Sequence, residues 1–221
     1  MYYQLYVDSA RRVADLVAPL DDATLQTLTP ACPDWTVHDV LAHLAGAASS
    51  FGTPDFAGVG TDPWTAGHVG SRRDTPVADL LAERQACLPK LEKVPLDNLR
   101  AWLPIVHDAL THEADIRGAI GAPGLPADAL AAAFPLLEAV LPRRLSSLGP
   151  MSVELDGQPR TWGDGTPELT VKTSMFDFWR GAFGRRSPGQ MRSWVVAGDA
   201  EAFARTLPNF GPRATDLVEF A

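Results

Sequence analysis

The stretch CPDWTVHDVLAHLAG, residues 32–46, decides how the chain begins to fold. Val37, Val40, Leu41, Leu44 and then Ala48 recur at the spacing of one helical face. Asp34 or Thr36 supplies the N-cap in front of that face. His43 stands off the apolar stripe: at ~100° per residue it lies roughly 120° from the centre of the stripe. Its angular neighbours are Asp39, Gly46, Ala47 and Ser50, all small or polar, which leaves room beside the imidazole. A second stretch, VHDALTHEADIRGAIG at residues 106–121, forms another helix that ends at Gly121 before Pro123.

Asp108 and His112 are four residues apart on this second stretch, or about 400° of helix, so their side chains share a face. Ile105, Val106, Ala109, Leu110, Ile116 and Ile120 form the apolar arc, and the pair stands at its margin. His107 points ~140° away from His112, and His38 ~140° away from His43, so neither joins the group. Glu113 falls among the apolar residues. A carboxylate and an imidazole on one face, with an imidazole from a neighbouring helix, leave a divalent metal with an open position, the pattern of catalytic zinc. The same spacing also describes an ordinary stabilising Asp–His helix pair, and a histidine at a helix margin is commonly a surface residue. The residues by themselves leave both readings open.

The remaining pattern predicts helices over about 2–17, 76–93 and 103–120, with a short helix at about 22–28. Residues 52–74 are rich in Gly, Pro, Thr and Asp and read as one long loop. Four helices joined in this way predict a bundle over residues 1–123. After Gly121-Ala-Pro-Gly-Leu-Pro126 a helix over about 127–148 is expected, interrupted by Pro135 and Pro142. Strand alternation then appears at 151–155, 169–173 and 191–197, with a turn at Asp156-Gly157 and short helices near 174–183 and 200–207. The fold class is therefore α+β: a helical bundle followed by a small α+β domain over residues 124–221.

A net charge of −8 argues against the basic field that nucleic acid or an anionic membrane surface would require. The most apolar run, which begins at Ala129, is broken by Pro135 and Glu138 and falls short of the ~20 residues a membrane span needs. Only two cysteines occur, Cys32 and Cys87, without a CxxC motif, so no disulfide framework is expected. The N-terminal residues lack a secretory signal, and the expectation is a soluble cytoplasmic protein. Cys32, before a proline in a turn, reads as structural rather than nucleophilic. His68, near Trp64, reads as a loop residue that alternatively lines the mouth of a site.

These residues carry a resemblance. CPDWTVHDVLAHLAG resembles the signature of the DinB-like superfamily, and within it the mycothiol-dependent maleylpyruvate isomerase family, through Trp35-Thr36-Val37 and His43-Leu44. The family carries Glu-x3-His followed by Asp and an Ala-x-Gly ending; here the matching run is Asp108-x3-His112, Asp115, Ala119 and Gly121. Gly184-Arg185 after an aromatic helix and Gly198-Asp199 after a strand resemble the family's second domain. The resemblance covers nearly the whole chain. It implies a DinB-like four-helix bundle and a divalent metal, zinc before others, held by His43, Asp108 and His112. Asp108 departs from the family's Glu by one methylene, which predicts a backbone shift or weaker binding.

The resemblance further implies a low-molecular-weight thiol such as mycothiol as cosubstrate, held as thiolate by the metal. That nucleophile serves either S-transfer to an electrophile or cis–trans isomerisation of maleylpyruvate. An anionic substrate calls for an arginine, and Arg180, Arg185, Arg205 and Arg213 are the candidates in the second domain, at least one of them expected to reach a cleft that the metal faces. The alternative is a non-catalytic member that binds metal or a small molecule. Oligomeric state is left open.

Overall fold

The computed structural model describes residues 1–52 and 58–220. It divides into two compact units, Met1–Ala133 with Glu219–Ala221, and Phe134–Val218. In chain order the first unit holds α1 (Tyr2–Val17), α2 (Asp22–Leu25), β1 (Leu28–Thr29), β2 (Cys32–Thr36), α3 (Val37–Phe51), α4 (Asp62–Gly70), α5 (Val77–Ala86), α6 (Leu88–Leu91) and α7 (Leu99–Ala119). The division falls within α8 (Ala127–Glu138). Bundle architecture with a small sheet domain is what the alternating patterns predicted.

Helices α1, α3, α5 and α7 form the bundle: α1 packs on α7, and α3 on both α5 and α7. Thr36 caps α3, accepting from the Asp39 amide at 3.1 Å while Asp39 accepts from the Thr36 amide at 2.9 Å, a reciprocal capping box. From Val40 to Ala48 every residue of α3 is buried. Of the small or polar neighbours of His43, Gly46 and Ala47 are buried and Asp39 and Ser50 half-buried. Ala42, Ala45, Gly46 and Ala47 are small enough for other elements to close on every side of the helix, so α3 is the central rod of the unit. Val13, Val17, Val40, Leu41, Leu44, Leu80 and Ile116 fill the core around it.

Several sequence expectations are corrected. Part of the expected loop at 52–74 is α4, which starts with Pro63 in its first turn; residues 53–57 of that loop lie outside the described residues. The segment near Pro30 and Pro33, read as a turn, is the two-stranded ladder β1–β2. The helix expected over 76–93 divides at Cys87 into α5 and α6, because Pro89 cannot continue the hydrogen-bond ladder. Helix α7 begins four residues earlier than expected, at Leu99, where Asn98 accepts from the Ala101 amide at 3.1 Å.

Glu113 is completely buried on α7, yet it is not an error in the pattern. Arg12 of α1 donates to both its oxygens, Nε to Oε1 at 2.7 Å and Nη2 to Oε2 at 2.8 Å. Arg117, one turn on, donates to Oε1 from Nε at 3.1 Å and from Nη2 at 3.0 Å. This buried cluster ties α1 to α7.

His107 of α7 is also fully buried, bonded to the backbone of Ala133, and burial lowers its pKa to about 3. An unfolded chain takes up this proton near pH 6.5, whereas the fold refuses it until about pH 3. Stability therefore falls as pH drops through that window, by about 2 kcal/mol between neutrality and pH 5. Urea unfolding at the two pH values should show a loss about 2 kcal/mol smaller in His107→Leu than in wild type. Equal slopes for both proteins would refute the assignment.

The second unit follows α8 with α9 (Leu141–Arg144), a 3-10 turn at Ser146–Leu148, then β3 (Met151–Leu155), β4 (Gln158–Trp162), β5 (Leu169–Thr173), α10 (Met175–Ala182), α11 (Pro188–Ser193), β6 (Val195–Ala197) and α12 (Ala200–Thr206). The sheet order is β4-β3-β5-β6, with β3 antiparallel to β4 and parallel to β5. Met151, Val153, Leu155, Leu169 and Val171 are buried, as their alternation requires. The strand β4 escaped sequence reading because Pro159 argues against a strand; it is tolerated because β4 is an edge. Residues 191–193 were expected as strand but end α11, which Ser187 and Gln190 start with a capping box. Gly198 has φ +101, and a Cβ there would stand 2.5 Å from the Glu168 carbonyl oxygen, so only glycine fits between β6 and α12. Among the described residues no helix is long and apolar enough to cross a membrane.

Candidate metal centre

His43 comes from the central helix, Asp108 and His112 from one face of α7. His43 Nε2 lies 3.2 Å from Asp108 Oδ1, and His112 Nε2 lies 3.7 Å from the same oxygen. The three donor atoms fall within 4.8 Å of one another. Donors bonded at ~2.1 Å to a tetrahedral ion stand about 3.4 Å apart, close to the two distances at Asp108 Oδ1. The shorter Asp108 side chain stands within 3.7 Å of both imidazole nitrogens.

Supporting groups orient the cluster. His112 Nδ1 lies 3.0 Å from Asp115 Oδ2, and Asp115 is fully buried. The ring N–H is not aimed straight at that oxygen, so the pairing is electrostatic more than a well-formed hydrogen bond. The Cys32 thiol donates to Asp115 Oδ2 at 3.2 Å, which gives this cysteine a structural task in β2. A carboxylate behind a ligating imidazole fixes its orientation and raises its basicity.

The electrostatics of the two α7 residues differ. Burial lowers the His112 pKa against the opposing pull of Asp115 and Asp108, which favours the neutral form a metal requires. Burial pushes the Asp108 carboxyl up, but His43, His112 and Arg84 together outweigh it and hold it below the ordinary carboxylate value.

Aromatic rings wall the site. The Trp35 ring of β2 stands 5.1 Å from His43 and 5.8 Å from His112. From α4, Trp64 and His68 stand 5.5 and 5.4 Å from His43. His68 Nε2 is 2.9 Å from Ser50 Oγ, and burial, with the neighbouring His43, lowers its pKa to about 4. The room expected beside His43 is therefore filled by His68. Sequence reading placed His68 in a loop; Pro63 in a first turn and the four-residue spacing of Trp64 and His68 were the available signals of a helix.

Gly46 makes this closure possible. A Cβ on Gly46 would lie 2.5 Å from the His68 ring. Gly46→Ala should displace α4 from α3, quench or shift Trp64 fluorescence and cost about 1–3 kcal/mol. Unchanged fluorescence and stability would show that α4 does not close there.

His38 Nε2 contacts the Thr75 carbonyl at 2.9 Å and His107 lies in the core, so neither joins the trio. In the second unit Arg185 donates to the Phe183 carbonyl at 2.8 Å and Arg213 to that of Thr215 at 2.7 Å. Arg180 is buried over Trp179 and Phe176, and Arg205 is exposed.

The profile of the mycothiol maleylpyruvate isomerase N-terminal domain matches residues 6–153. The chain belongs to that family. The crystal structure of the mycothiol-dependent maleylpyruvate isomerase is similar at a TM-score of 0.50 and 12% identity, over 83% of this chain and 88% of that one. A histidine-to-alanine mutant of the isomerase is similar at 0.49 and 12%, over 89% and 91%. At 12% identity the likeness to the first of these speaks for the fold alone. No curated protein sequence matches the chain. Within the family's matched span lie all residues of the cluster: Cys32, Trp35, His43, Trp64, His68, Asp108, His112 and Asp115.

Proposed function

We propose that this family member is a metal-dependent thiol enzyme, a mycothiol-type S-transferase or a cis–trans isomerase of maleylpyruvate type. The observation that carries the reading is one carboxylate oxygen placed 3.2 and 3.7 Å from two imidazole nitrogens. His43, Asp108 and His112 would hold the metal, zinc first among candidates. Bound zinc supplies a Lewis acid that keeps a thiol ionised at neutral pH.

The chain's own residues do the rest. Asp115 and Cys32 steady His112, and Trp35, Trp64 and His68 exclude bulk water from the donors. Three protein donors would leave a position for the sulfur of a small thiol. Isomerisation needs thiolate addition to a cis double bond, rotation and departure of the same thiolate; transfer keeps the new C–S bond, and the electrophile then takes up a proton or, like chlorodinitrobenzene, releases its halide. Arg185, Arg205 and Arg213 belong to this proposal as residues for an acidic substrate, and alanine variants with raised KM and unchanged zinc content would support each role.

The test is protein purified without chelator and assayed with mycothiol, both on maleylpyruvate and on a generic electrophile such as chlorodinitrobenzene. Near-stoichiometric zinc and thiol-dependent turnover that chelation removes and zinc restores are expected. Zinc without turnover on either substrate would favour a binding role, and turnover that survives chelation would overturn the metal-thiolate reading.

A further inference from the structure

The His112 ring has two donor nitrogens, and the trio uses one of them. Nε2 faces Asp108 Oδ1, 3.7 Å away. Nδ1 lies across the ring, buried and without a hydrogen-bond partner among the described residues, 3.0 Å from Asp115 Oδ2. Cys32 Sγ stands 3.2 Å from that same oxygen. These three donors, a nitrogen, an oxygen and a sulfur, all fall within 4.8 Å of one another. Asp115 is completely buried, His112 is 7% exposed and Cys32 is half-buried, so the sulfur is the side open to water.

The spacing is close to that of a coordination shell. Donors bonded at ~2.0–2.3 Å to a tetrahedral ion stand about 3.3–3.8 Å apart, a few tenths of an ångström wider than the two distances at Asp115 Oδ2. Sulfur beside imidazole selects ions such as Zn²⁺, Co²⁺ or Cd²⁺ over Mg²⁺ and Ca²⁺. Cys32 comes from β2, whose ladder partner β1 packs on α7, the helix of both other donors.

We propose that Cys32, Asp115 and His112 Nδ1 form a second site, for a thiophilic divalent cation, joined through the His112 ring to the first. The proposal rests on the reading of the trio for that junction alone; His43 and Asp108 are not among its donors. Ions on opposite nitrogens of one ring, each bonded at ~2.0–2.1 Å, stand about 6 Å apart. The charges balance. Asp108, Asp115, the Cys32 thiolate and a His112 imidazolate bring four negative charges to two divalent ions. The second ion displaces the thiol proton and the last ring proton to water. Because both must leave and a cation already stands nearby, this site is the weaker of the two and fills under metal excess.

The test titrates Co²⁺ into full-length protein, zinc-loaded and chelator-stripped, and follows absorption. The trio contains no sulfur, so cobalt entering it gives no sulfur-to-cobalt charge-transfer band; cobalt at the second site gives one in the near ultraviolet. Cys87, 3.6 Å from Ser49 Oγ, is the control thiol. Wild type and Cys87→Ser should develop the band, and Cys32→Ser should not. Asp115→Asn should need roughly tenfold or more cobalt to reach it. If Cys32→Ser fails to fold, wild type decides alone: zinc at about ten times its Kd for this site should slow alkylation of Cys32 by iodoacetamide roughly tenfold. No band in wild type, a band that persists in Cys32→Ser, or alkylation indifferent to zinc overturns the site. A Cys32-dependent band in protein that keeps no zinc through dialysis would uphold the second site while the reading of the trio fails. Tightly held zinc with no band would do the reverse.

Discussion

His43→Ala is expected to lower zinc affinity by two or more orders of magnitude and to abolish thiol-dependent activity with it. Loss of a carboxylate behind a ligand already costs about 10–100-fold in metal affinity, and a direct donor contributes more. Asp115→Asn should therefore fall in that 10–100-fold range, below the His43 effect. Asp108→Glu should also weaken binding, because Asp108 Oδ1 already stands at ligand spacing from both imidazoles and a longer side chain overshoots. Metal analysis after dialysis against buffered zinc measures all three. Stoichiometric zinc retained by His43→Ala would remove the trio as the site.

Glu113→Ala should be the most damaging change away from the site. It leaves two guanidinium groups facing a buried void, and breaking a buried pair costs about 3–5 kcal/mol. The lower end applies here. Arg12 is partly exposed and can turn to water, and Arg117 retains the Pro123 carbonyl at 2.9 Å. A loss of about 3 kcal/mol corresponds to a Tm lower by roughly 10 °C. Calorimetry of the variant checks this, and a Tm within ~2 °C of wild type would show that the cluster contributes little beyond filling space.

The two histidines and the aspartate were legible because each sits in a strongly patterned helix. The relation between Asp108 and His112 is local, fixed by 3.6 residues per turn. His68 was not legible as a neighbour of His43. His68 was hidden in a segment whose Gly and Pro content outweighed its short helical signal. The same limit explains α11, where a capping box competed with the apparent alternation ending in Val195 and Val196.

What the sequence by itself determined is local: an N-cap just ahead of Val37, the periodicity of α1, α3 and α7, the alternation of β3 and β5, and a motif specific enough to indicate a family. These depend on residues within one or two turns of each other. Only the tertiary structure decided that α3 is buried on every side, since Ala42, Ala45, Gly46 and Ala47 take their meaning from what approaches them. It also decided which charges meet: His43 with Asp108 across 65 residues, Tyr6 with Arg84 across 78, Arg12 with Glu113 across 101. Such contacts arise from helices packing side by side, and no spacing along the chain encodes them.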